Sequence, residues 1–394
     1  MKIFLILSAI FMLSACVEVR YGGHFIFEPE EEEVKAEPLN THYSVFFESE
    51  PMPLAMFEPQ QGAFLGIYSD VLPGIDGRVI AGLESLLGVQ HAAFVEVIEL
   101  GLDEYFPALW LLECIAEHKI PVIVIVPPTS PEGSWEEMLL SSVSGFSEYP
   151  VPMFVVFYPL SADTGWQADT YIAFFRYARA IFAEHAPHVA FVWAADADKD
   201  NFLDFFPGNS AVDWVGLSLN LSGSSPCAEL LERALGFYHH FHRDFPIMLN
   251  LGISHFSTED HRYHISETAT LIRQIYSTIL KEFPQIKMVN YMDLSRLSCA
   301  GSDYRIRMDA ALRKAYREST QDFISRASLN SDFAFGTRSI RSAYAAYVED
   351  GVVYVDTRTL TNELGMPLPA GGRWIGGAHR VDVSTLPAGR LLLR

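Results

Sequence analysis

The sequence predicts a (β/α)8 barrel followed by a small C-terminal α+β module. Two observations indicate the barrel. Apolar runs of strand length recur along the chain, and several segments between them carry apolar residues at helical spacing. The runs are almost continuously apolar rather than alternating, as parallel strands buried on both faces require. The composition permits such a core, because 49% of the 394 residues are hydrophobic.

Eight apolar runs are expected to form the barrel strands. In chain order they are residues 64–70, 91–100, 121–128, 152–160, 189–197, 212–220, 246–254 and 286–294. Eight units of a strand and the segment after it, over about 260 residues, match a (β/α)8 barrel, in which function lies on the loops after the strands' carboxyl ends. A doubly wound open sheet is the alternative fold, but no glycine-rich phosphate turn follows the first run.

Four segments between the runs are predicted to be helices. They are residues 103–118, 169–186, 228–243 and 266–283. In the second of them Ile172, Phe175 and Phe182 recur at helical spacing, and Asp169 is suited to the N-cap position.

The pattern changes after about residue 320, where a small α+β module is expected. Residues 342–365 predict a strand, an Asp350-Gly351 turn, a second strand and a short helix that stops at Gly365. The string VVYVDTRTLTNELG within them resembles the N-terminal-like repeat of copper amine oxidases. No histidine cluster accompanies this string, so the resemblance implies no copper.

The first residues have the pattern of a secretory signal. Lys2 precedes an apolar run that is too short for an ordinary membrane span, and small residues follow. The ending LSAC resembles a bacterial lipobox, which implies a lipidated Cys16 and a membrane partner through that anchor. An ordinary signal peptide with an incidental Cys16 is the alternative. In both cases we expect export, and with the lipid anchor a place in the bacterial cell envelope.

The acidic string EPEEEEVKAEP follows the signal, and its like charges favour an extended chain. The predicted division is therefore a signal peptide over 1–16, a tether over 17–58, the barrel over 59–320 and the module over 321–394. The formal net charge of −21 argues against a nucleic-acid partner, because no basic face can release counterions from a phosphate backbone.

Cysteine and histidine patterns suggest no metal site and no cofactor. Cys114, Cys227 and Cys299 are far apart in sequence, so core or free thiols are expected, with one disulfide possible. The string HHFH at 239–242 has no carboxylate at matching spacing, whereas HRYH at 261–264 follows the seventh run and is placed to contact a ligand.

Residues 61–316 resemble glycoside hydrolase family 26, whose typical member is a β-mannanase. The resemblance rests on the order of GAFLGIYSD, PVPMFVVFYPLSADTGW, VAFVWAADADKDNFLDFFPGNSAVDWVG and FPIMLNLGIS, of which FFPGNSAVDWVG is the most specific part. It implies a polysaccharide or oligosaccharide partner, with a general acid ending strand four and a carboxylate nucleophile ending strand seven. Retaining chemistry needs these carboxyl groups roughly 5 to 5.5 Å apart.

This sequence has no carboxylate at either of those two positions. The acid position falls on Leu160, and the nucleophile position falls on Asn250, or on Leu251 by a second count. A hydrocarbon cannot donate a proton, and an amide cannot form a glycosyl ester. The sequence therefore predicts a carbohydrate-binding or scaffolding barrel that does not hydrolyse glycans.

Two other functions remain open. An active glycoside hydrolase on mannan or a related β-glycan would need relocated carboxylates, for which Asp163 and Asp196 are the best substitute pair. Asp70, Asp198 and Asp293 also lie near strand ends, although aspartate is common in turns and caps. A structural envelope protein with a closed barrel is the third function.

Aromatic residues near the strand ends are candidates for stacking on a sugar ring. They are Tyr158, Trp166, Trp193 and Tyr291, and the amide of Asn250 is a candidate for hydrogen bonding. Core packing is the alternative role of the four rings, because aromatic side chains bury large areas in any barrel.

Overall fold

The structure is a computed structural model. It describes residues 17–20, 42–43, 45–48, 52–70, 79–100, 106–127, 135–157, 166–197, 201–223, 227–298, 300–326, 335–336, 339–341, 346–349, 352–363, 371–375, 378–382 and 390–393. The chain divides into two compact units. One unit is Pro53–Gly336, and the other combines the two ends of the chain, Met1–Met52 and Thr337–Arg394.

Eight parallel strands of the larger unit close into a barrel. They are β1 (Phe64–Ser69), β2 (Ala93–Glu99), β3 (Ile120–Val126), β4 (Met153–Phe157), β5 (Val189–Asp196), β6 (Trp214–Ser222), β7 (Ile247–Ser254) and β8 (Ile286–Asp293). Each strand pairs with the next along the chain, and β8 pairs with β1. The predicted (β/α)8 fold class is therefore confirmed.

Helices connect these strands. They are α1 (Ile80–Leu87), α2 (Ala108–Ala116), α3 (Trp135–Glu148), α4 (Ala168–His185), α5 (Cys227–Phe241), α6 (Ile265–Glu282) and, after β8, α7 (Ala310–Ser319). Between β5 and β6 the described residues form two short 3-10 turns, Phe202–Phe205 and Asn209–Ala211. The four predicted helices correspond to α2, α4, α5 and α6.

Helix α4 shows why the connections take helical form. Tyr171, Phe174, Ala178 and Phe182 recur every three or four residues, and all four are buried. The prediction that Asp169 caps this helix is wrong, because Gln167 holds the N-cap position and makes no side-chain cap bond. Asp169 instead lies in the first turn, where a carboxylate interacts favourably with the helix dipole.

The barrel interior is apolar and filled at the amino ends of its strands. Phe154 packs edge-on against Trp214, with ring centroids 5.0 Å apart, and against Phe57 at 5.6 Å. The Trp214 Nε1–H donates to the carbonyl oxygen of Met56 at 2.7 Å. The segment before β1 therefore closes this end, and only the opposite end can hold a site inside the barrel.

Closer to the carboxyl ends of the strands, the faces that point into the barrel carry small and polar residues. Gly66, Ala194 and Gly216 leave space inside the barrel, and the amides of Asn250 and Asn290 point into the same layer. A Cβ atom at Gly66 would lie 2.0 Å from the Asn290 Oδ1, and one at Gly216 would lie 3.2 Å from the Ala194 Cβ. Glycine at these two positions therefore allows the neighbouring side chains to fit.

The second unit contains two antiparallel sheets. One is formed, in spatial order, by Val17–Arg20, Arg390–Leu393, Val45–Glu48 and Ser339–Arg341; the other by His42–Tyr43, Ala346–Glu349, Val352–Asp356, Ala378–Asp382 and Arg373–Ile375. Two further short strands lie at Met52–Pro53 and Phe335–Gly336.

The predicted tether over 17–58 contains four described strands, which begin at Val17, His42, Val45 and Met52. The strands VEVR and VFFE both pair with the strand Arg390–Leu393 near the C-terminus. The predicted module hairpin is present, because Tyr347 pairs with Tyr354 in antiparallel register. Its turn residues and Gly365 lie outside the described residues, and a helical turn at Thr359–Glu363 follows the second strand.

No helix among the described residues is long and apolar enough to span a membrane.

Candidate functional site

The carboxyl ends of the barrel strands, here called the mouth, carry a cluster of charged residues between β1 and β8. Arg307, in the 3-10 turn Ile306–Met308, forms ion pairs with Asp70 and Asp293. Its Nη1 also donates to the Ser69 Oγ at 3.0 Å and to the Asp293 carbonyl oxygen at 2.7 Å. Residues from both strands at the closing seam of the barrel therefore converge on one guanidinium group.

Asp293 is fully buried at the centre of this cluster. Its carboxylate accepts hydrogen bonds from the Ser69 Oγ at 2.9 Å and from the backbone N–H of Arg307 at 3.2 Å. Burial raises the pKa of Asp293, and the nearby Arg307 guanidinium opposes that rise. Because the carboxylate is enclosed and paired, it cannot reach a ligand in this conformation.

A second charged cluster lies at the end of β7. The Arg305 Nε and Nη2 donate to the two oxygens of Asp303 at 2.8 and 2.6 Å. Burial favours the neutral form of Asp303, but the hydrogen bonds from Arg305 outweigh it and lower the pKa of this carboxyl. The carboxylate therefore stays ionised and bound to its arginine.

His255 follows β7 directly and is buried beside this pair. Its Nδ1 lies 2.5 Å from the carbonyl oxygen of Asp303, and a carbonyl can only accept, so Nδ1 carries the proton. Burial lowers the pKa of His255, which favours the neutral ring. The neutral ring then has its lone pair at Nε2.

An exposed aromatic ring stands above this cluster. The short strands Phe256–Ser257 and Arg262–Tyr263 form a hairpin between β7 and α6, and the Tyr263 side chain is 54% exposed. Its ring centroid lies 5.1 Å from that of Phe256 and 5.4 Å from that of His255. The HRYH segment is thus part of the mouth, as its place after the seventh run predicted.

Two amides occupy the barrel interior below the mouth. The Asn290 Nδ2 donates to the Asn250 Oδ1 at 3.0 Å, and the two residues are paired in register on adjacent strands. Asn290 is fully buried, whereas Asn250 is half-buried and lies in the middle of β7. Leu251, the second candidate for the nucleophile position, is buried in the cluster outside the barrel wall.

The structure corrects two of the aromatic ligand candidates, Trp166 and Trp193. Both are essentially inaccessible. Trp166 packs against Phe174 of α4 at a centroid distance of 5.2 Å, and Trp193 packs against Phe206 at 5.0 Å. Trp193 alternates with interior residues along β5, so it faces the helices rather than the barrel interior. Neither ring has a face open to a sugar.

Tyr291 is corrected in the same way. It is fully buried, and it follows the inward-facing Asn290, so strand alternation directs it outward. Its hydroxyl donates to the carbonyl oxygen of Tyr304 at 3.0 Å. Tyr291 therefore belongs to the core, where burial raises its pKa strongly.

The remaining site predictions are mostly untested. Tyr158, Leu160, Asp163, Asp198 and Cys16 lie outside the described residues. Asp196 is the last residue of β5, is half-buried and pairs in register with Ser218 of β6. Its place at a strand end agrees with the predicted location but does not assign it a role.

The described cysteines and histidines do not form a recognisable metal site. Cys114 and Cys227 are free thiols, and burial raises the pKa of Cys114, while Cys299 lies outside the described residues. His242 packs on Tyr238 at a centroid distance of 4.9 Å, and burial lowers its pKa to about 4. In the described part of the chain no group of three potential ligands can hold a metal ion.

A groove of about 680 Å³ lies at the opposite, amino end of the strands. Its lining includes Glu84, Lys119, Pro121, Pro152 and Arg326. The Lys119 Nζ binds the Glu84 carboxylate at 2.7 Å, so its charge is already compensated. Barrel enzymes place their chemistry at the carboxyl ends of the strands, and we therefore assign the candidate site to the mouth despite the size of this groove.

The sequence analysis named Asp70 and Asp293 as carboxylates near strand ends, but it did not name the arginines of the two charged clusters. Arg305 and Arg307 follow the eighth run, and neither was a candidate. The spacing Asp303-x-Arg305 was a usable signal, because an aspartate can accept from the N–H two residues onward and from the arginine side chain, as it does here. Nothing local in the sequence links Arg307 to Ser69, which lies 238 residues away.

No protein-family model matches the chain, and no curated protein matches its sequence. The fold is similar to that of a modular endo-β-1,4-mannanase from Cellulomonas fimi, with a TM-score of 0.51, 12% identity, and coverage of 84% of this chain and 92% of that chain. That structure is described as explaining the product specificity of glycoside hydrolase family 26 mannanases.

Two other solved structures are less similar. A double mutant of the Cellulomonas fimi mannanase gives a TM-score of 0.49 at 12% identity, over 75% of this chain and 90% of that chain. A β-mannanase from a symbiotic protist of the termite Reticulitermes speratus gives 0.43 at 9% identity, over 67% and 89%. At these identities the comparisons show the fold alone. The chain therefore shares the barrel fold of a mannanase of glycoside hydrolase family 26.

Proposed function

We propose that this protein is an exported, lipid-anchored barrel that binds a polysaccharide or oligosaccharide at its mouth without hydrolysing it. The barrel fold shared with a mannanase supports a glycan as the ligand. The signal pattern that ends at Cys16 supports export and lipid anchoring.

The amide pair of Asn250 and Asn290 is the observation that carries the proposal. The family resemblance assigns a carboxylate nucleophile to the position of Asn250, and its amide instead accepts a hydrogen bond from Asn290. An amide can bind a sugar hydroxyl, but it cannot stabilise an oxocarbenium ion with a full negative charge. This position therefore suits binding and not the formation of a glycosyl-enzyme intermediate.

Three of the described carboxylates at the mouth support the same conclusion. Asp70 and Asp293 share Arg307, and Asp303 is bound by Arg305. Retaining hydrolysis needs one protonated carboxyl group and one free carboxylate facing the substrate. Carboxylates that are already paired with arginine are suited to stabilising the conformation of the mouth.

The exposed ring of Tyr263 supplies a surface that a sugar can use. Its contacts with Phe256 and His255 restrict the ring, so little conformational freedom is lost when a ligand binds. The Asp303–Arg305 pair lies near it, with the Arg305 side chain partly exposed. Stacking next to hydrogen-bonding groups is the arrangement expected for pyranose recognition.

Two measurements on the purified protein test the proposal. We expect no release of reducing sugar from β-mannan, and we expect calorimetry to detect binding of mannohexaose or of another β-linked hexaose. Replacement Tyr263→Ala should weaken that binding by about tenfold, which corresponds to loss of one stacking contact. Leu86→Ala is the matched control, because Leu86 is similarly exposed on α1, outside the mouth.

Two results would refute the proposal. Reducing-sugar release that disappears in an Asp163→Asn or Asp196→Asn variant would identify a hydrolase with relocated carboxylates. Absence of binding to every β-glycan tested, with Tyr263→Ala indistinguishable from the wild type, would favour the structural envelope protein instead.

A further inference from the structure

The interior of the barrel is open to solvent on the side of the mouth. On β3 the inward-facing Val124 is half-buried, although both of its neighbours along the strand are fully buried. The inward-facing Ser218 shows the same contrast on β6, between two buried leucines. Solvent therefore reaches these side chains from inside the ring of strands. This open space is here called the barrel well.

One wall of the barrel well is a row of polar side chains. Asp196, Ser218, Asn250 and Asn290 lie on the four successive strands β5 to β8, and each is paired in register with the next. Because strand alternation fixes the face of each residue, all four side chains point inward with the Asn250–Asn290 amide pair. Asn290 is fully buried and the other three are half-buried, so the row runs from the bottom of the well to the mouth. The Asn250 Oδ1 accepts from Asn290, which leaves the Asn250 Nδ2 to donate to a ligand.

The opposite wall of the well is apolar. Tyr68 lies two residues after the inward-facing Gly66 of β1, and Ala93 of β2 is paired in register with Gly66. Val97 lies four residues after Ala93 and is paired in register with Val124 of β3. Strand alternation therefore directs Tyr68, Val97 and Val124 inward, and all three are half-buried. The well thus has an apolar side on β1 to β3 and a polar side on β5 to β8.

The dimensions and the closed end of the barrel limit what the well can hold. The interior of an eight-stranded barrel is wide enough for its own side chains or for one small ligand. The rings of Phe154 and Trp214 fill the interior below the well, at the amino ends of the strands. A polymer therefore cannot pass through the barrel, and only its terminal unit can reach Asn250.

The two walls select a neutral sugar. A hexopyranose has an apolar face, which fits the side of Tyr68 and the two valines, and hydroxyl groups at its edge, which fit the polar row. A wholly apolar ligand would leave that row without hydrogen-bond partners. No lysine or arginine lies on the inward faces of the described barrel strands. An anionic sugar would therefore lose its hydration in the well without gaining a counter-charge from these strands.

We propose that the barrel well binds the terminal unit of a neutral hexose polymer, so that the protein recognises the ends of polysaccharide chains rather than their middle. The proposal rests on the proposed function, because it names the part of the glycan that enters the barrel through the mouth. The polar row supplies the hydrogen bonds to the terminal unit, and Tyr68 with the two valines supplies the apolar contact.

Two substitutions in the full chain test whether the ligand enters the well. Val124→Phe places a ring between the two walls and should weaken binding of a neutral hexaose at least about tenfold in calorimetry. Leu109→Phe is the matched control, because Leu109 is 85% exposed on α2, outside the barrel, and its binding should be unchanged. Ser218→Ala removes one hydroxyl from the polar row and should weaken binding about threefold to tenfold. It provides a second test if circular dichroism shows that Val124→Phe is unfolded.

Polymers of different length test the recognition of chain ends. Soluble β-mannan is cleaved into fractions of known mean length, and calorimetry gives the amount of protein bound per gram of each fraction. That amount should rise in proportion to the number of chain ends, whereas binding along the chain would leave it unchanged. A hexamer of a uronic acid should bind at least about tenfold more weakly than the neutral hexaose, because its carboxylates find no counter-charge.

The outcomes separate this inference from the proposed function. If the wild type binds the hexaose and both Val124→Phe and Ser218→Ala bind it equally tightly, the ligand lies outside the well, and only binding at the mouth stands. Equal binding per gram at every polymer length, or equal affinity for the uronic acid hexamer, would also overturn the inference. A free hexose that binds as tightly as the hexaose would show that the well takes free sugars and not chain ends. Absence of binding to every glycan would contradict the proposed function itself, and this inference with it.

Discussion

Asn290 on β8 donates a hydrogen bond from its Nδ2 to the Oδ1 of Asn250 on β7, and the two atoms are 3.0 Å apart. The bond joins adjacent strands inside the barrel, below the mouth. Neither amide ionises, so the pair does not respond to pH in the range where carboxylates titrate. The position that a glycosidase would use for charge is therefore neutral and fixed by its neighbour.

Replacement of Gly66 by alanine should disturb this amide pair. The added Cβ would lie 2.0 Å from the Asn290 Oδ1 and 3.2 Å from the Ala93 Cβ, and both neighbours are buried. Either the amide must rotate away from Asn250 or the strands must separate. We expect the free energy of unfolding to fall by about 1–3 kcal/mol, measured by urea denaturation.

Gly82→Ala is the matched control for that substitution. Gly82 lies within α1, and a Cβ atom there would meet nothing within 4 Å. Alanine in an open helix interior should stabilise the protein by up to about 1 kcal/mol. Equal effects of the two substitutions would show that Asn290 does not fill the space beside Gly66.

Removal of Arg307 should destabilise the barrel at its closing seam. In Arg307→Ala the buried carboxylate of Asp293 loses its charged partner, although Ser69 can still donate to it. We expect a loss of roughly 3–5 kcal/mol at neutral pH, because an uncompensated charge remains buried. Chemical denaturation of variant and wild type at pH 7 measures this loss.

The Arg307→Ala defect should also depend on pH. Burial already raises the pKa of Asp293 above its ordinary value of 3.8, and loss of the arginine should raise it further. A raised folded pKa means that stability is gained as the pH falls through that pKa and is lost as the pH rises through it. The deficit should therefore shrink as the pH falls from 7 toward 3.8, and it should be largely absent when Asp293→Asn is combined with Arg307→Ala. A deficit that does not change with pH in this interval would contradict the assignment.

The sequence predicted the barrel well, because buried parallel strands are continuous apolar runs that stand out from amphipathic helices. The same continuity explains the errors about ligand-binding rings. A strand such as β5, buried on both faces, gives no alternation from which to tell inward from outward residues. The sequence alone therefore does not show that Trp193 and Tyr291 lie on the outer face of the barrel. The positions of Asn290 and of the interior residues of β5 in the structure show it.

Long-range contacts explain most of what the sequence did not predict. Arg307 meets Ser69 only because the barrel closes between β8 and β1. The strand that begins at Val17 was assigned to a tether because its partner, Leu393, lies at the far end of the chain. Pairs between near neighbours, such as Asp303 with Arg305, can be predicted from the sequence, because the two residues are only two positions apart.

Replacement of His118 by glycine should stabilise the protein. His118 follows the end of α2 in the left-handed conformation, with φ at 54°, which a residue with a Cβ atom adopts at a cost. Its N–H donates to the Ile115 carbonyl oxygen at 3.2 Å, and the Lys119 N–H donates to the Cys114 carbonyl oxygen at 2.8 Å, so the backbone closes the helix in the manner that favours glycine. The His118 side chain is exposed, and its loss costs little packing.

We expect His118→Gly to raise the free energy of unfolding by about 1 kcal/mol, whereas His118→Ala, which keeps the Cβ atom, should have a stability close to that of the wild type. Equal stability of the glycine and alanine variants in urea denaturation would mean that the left-handed conformation at this helix end carries no strain.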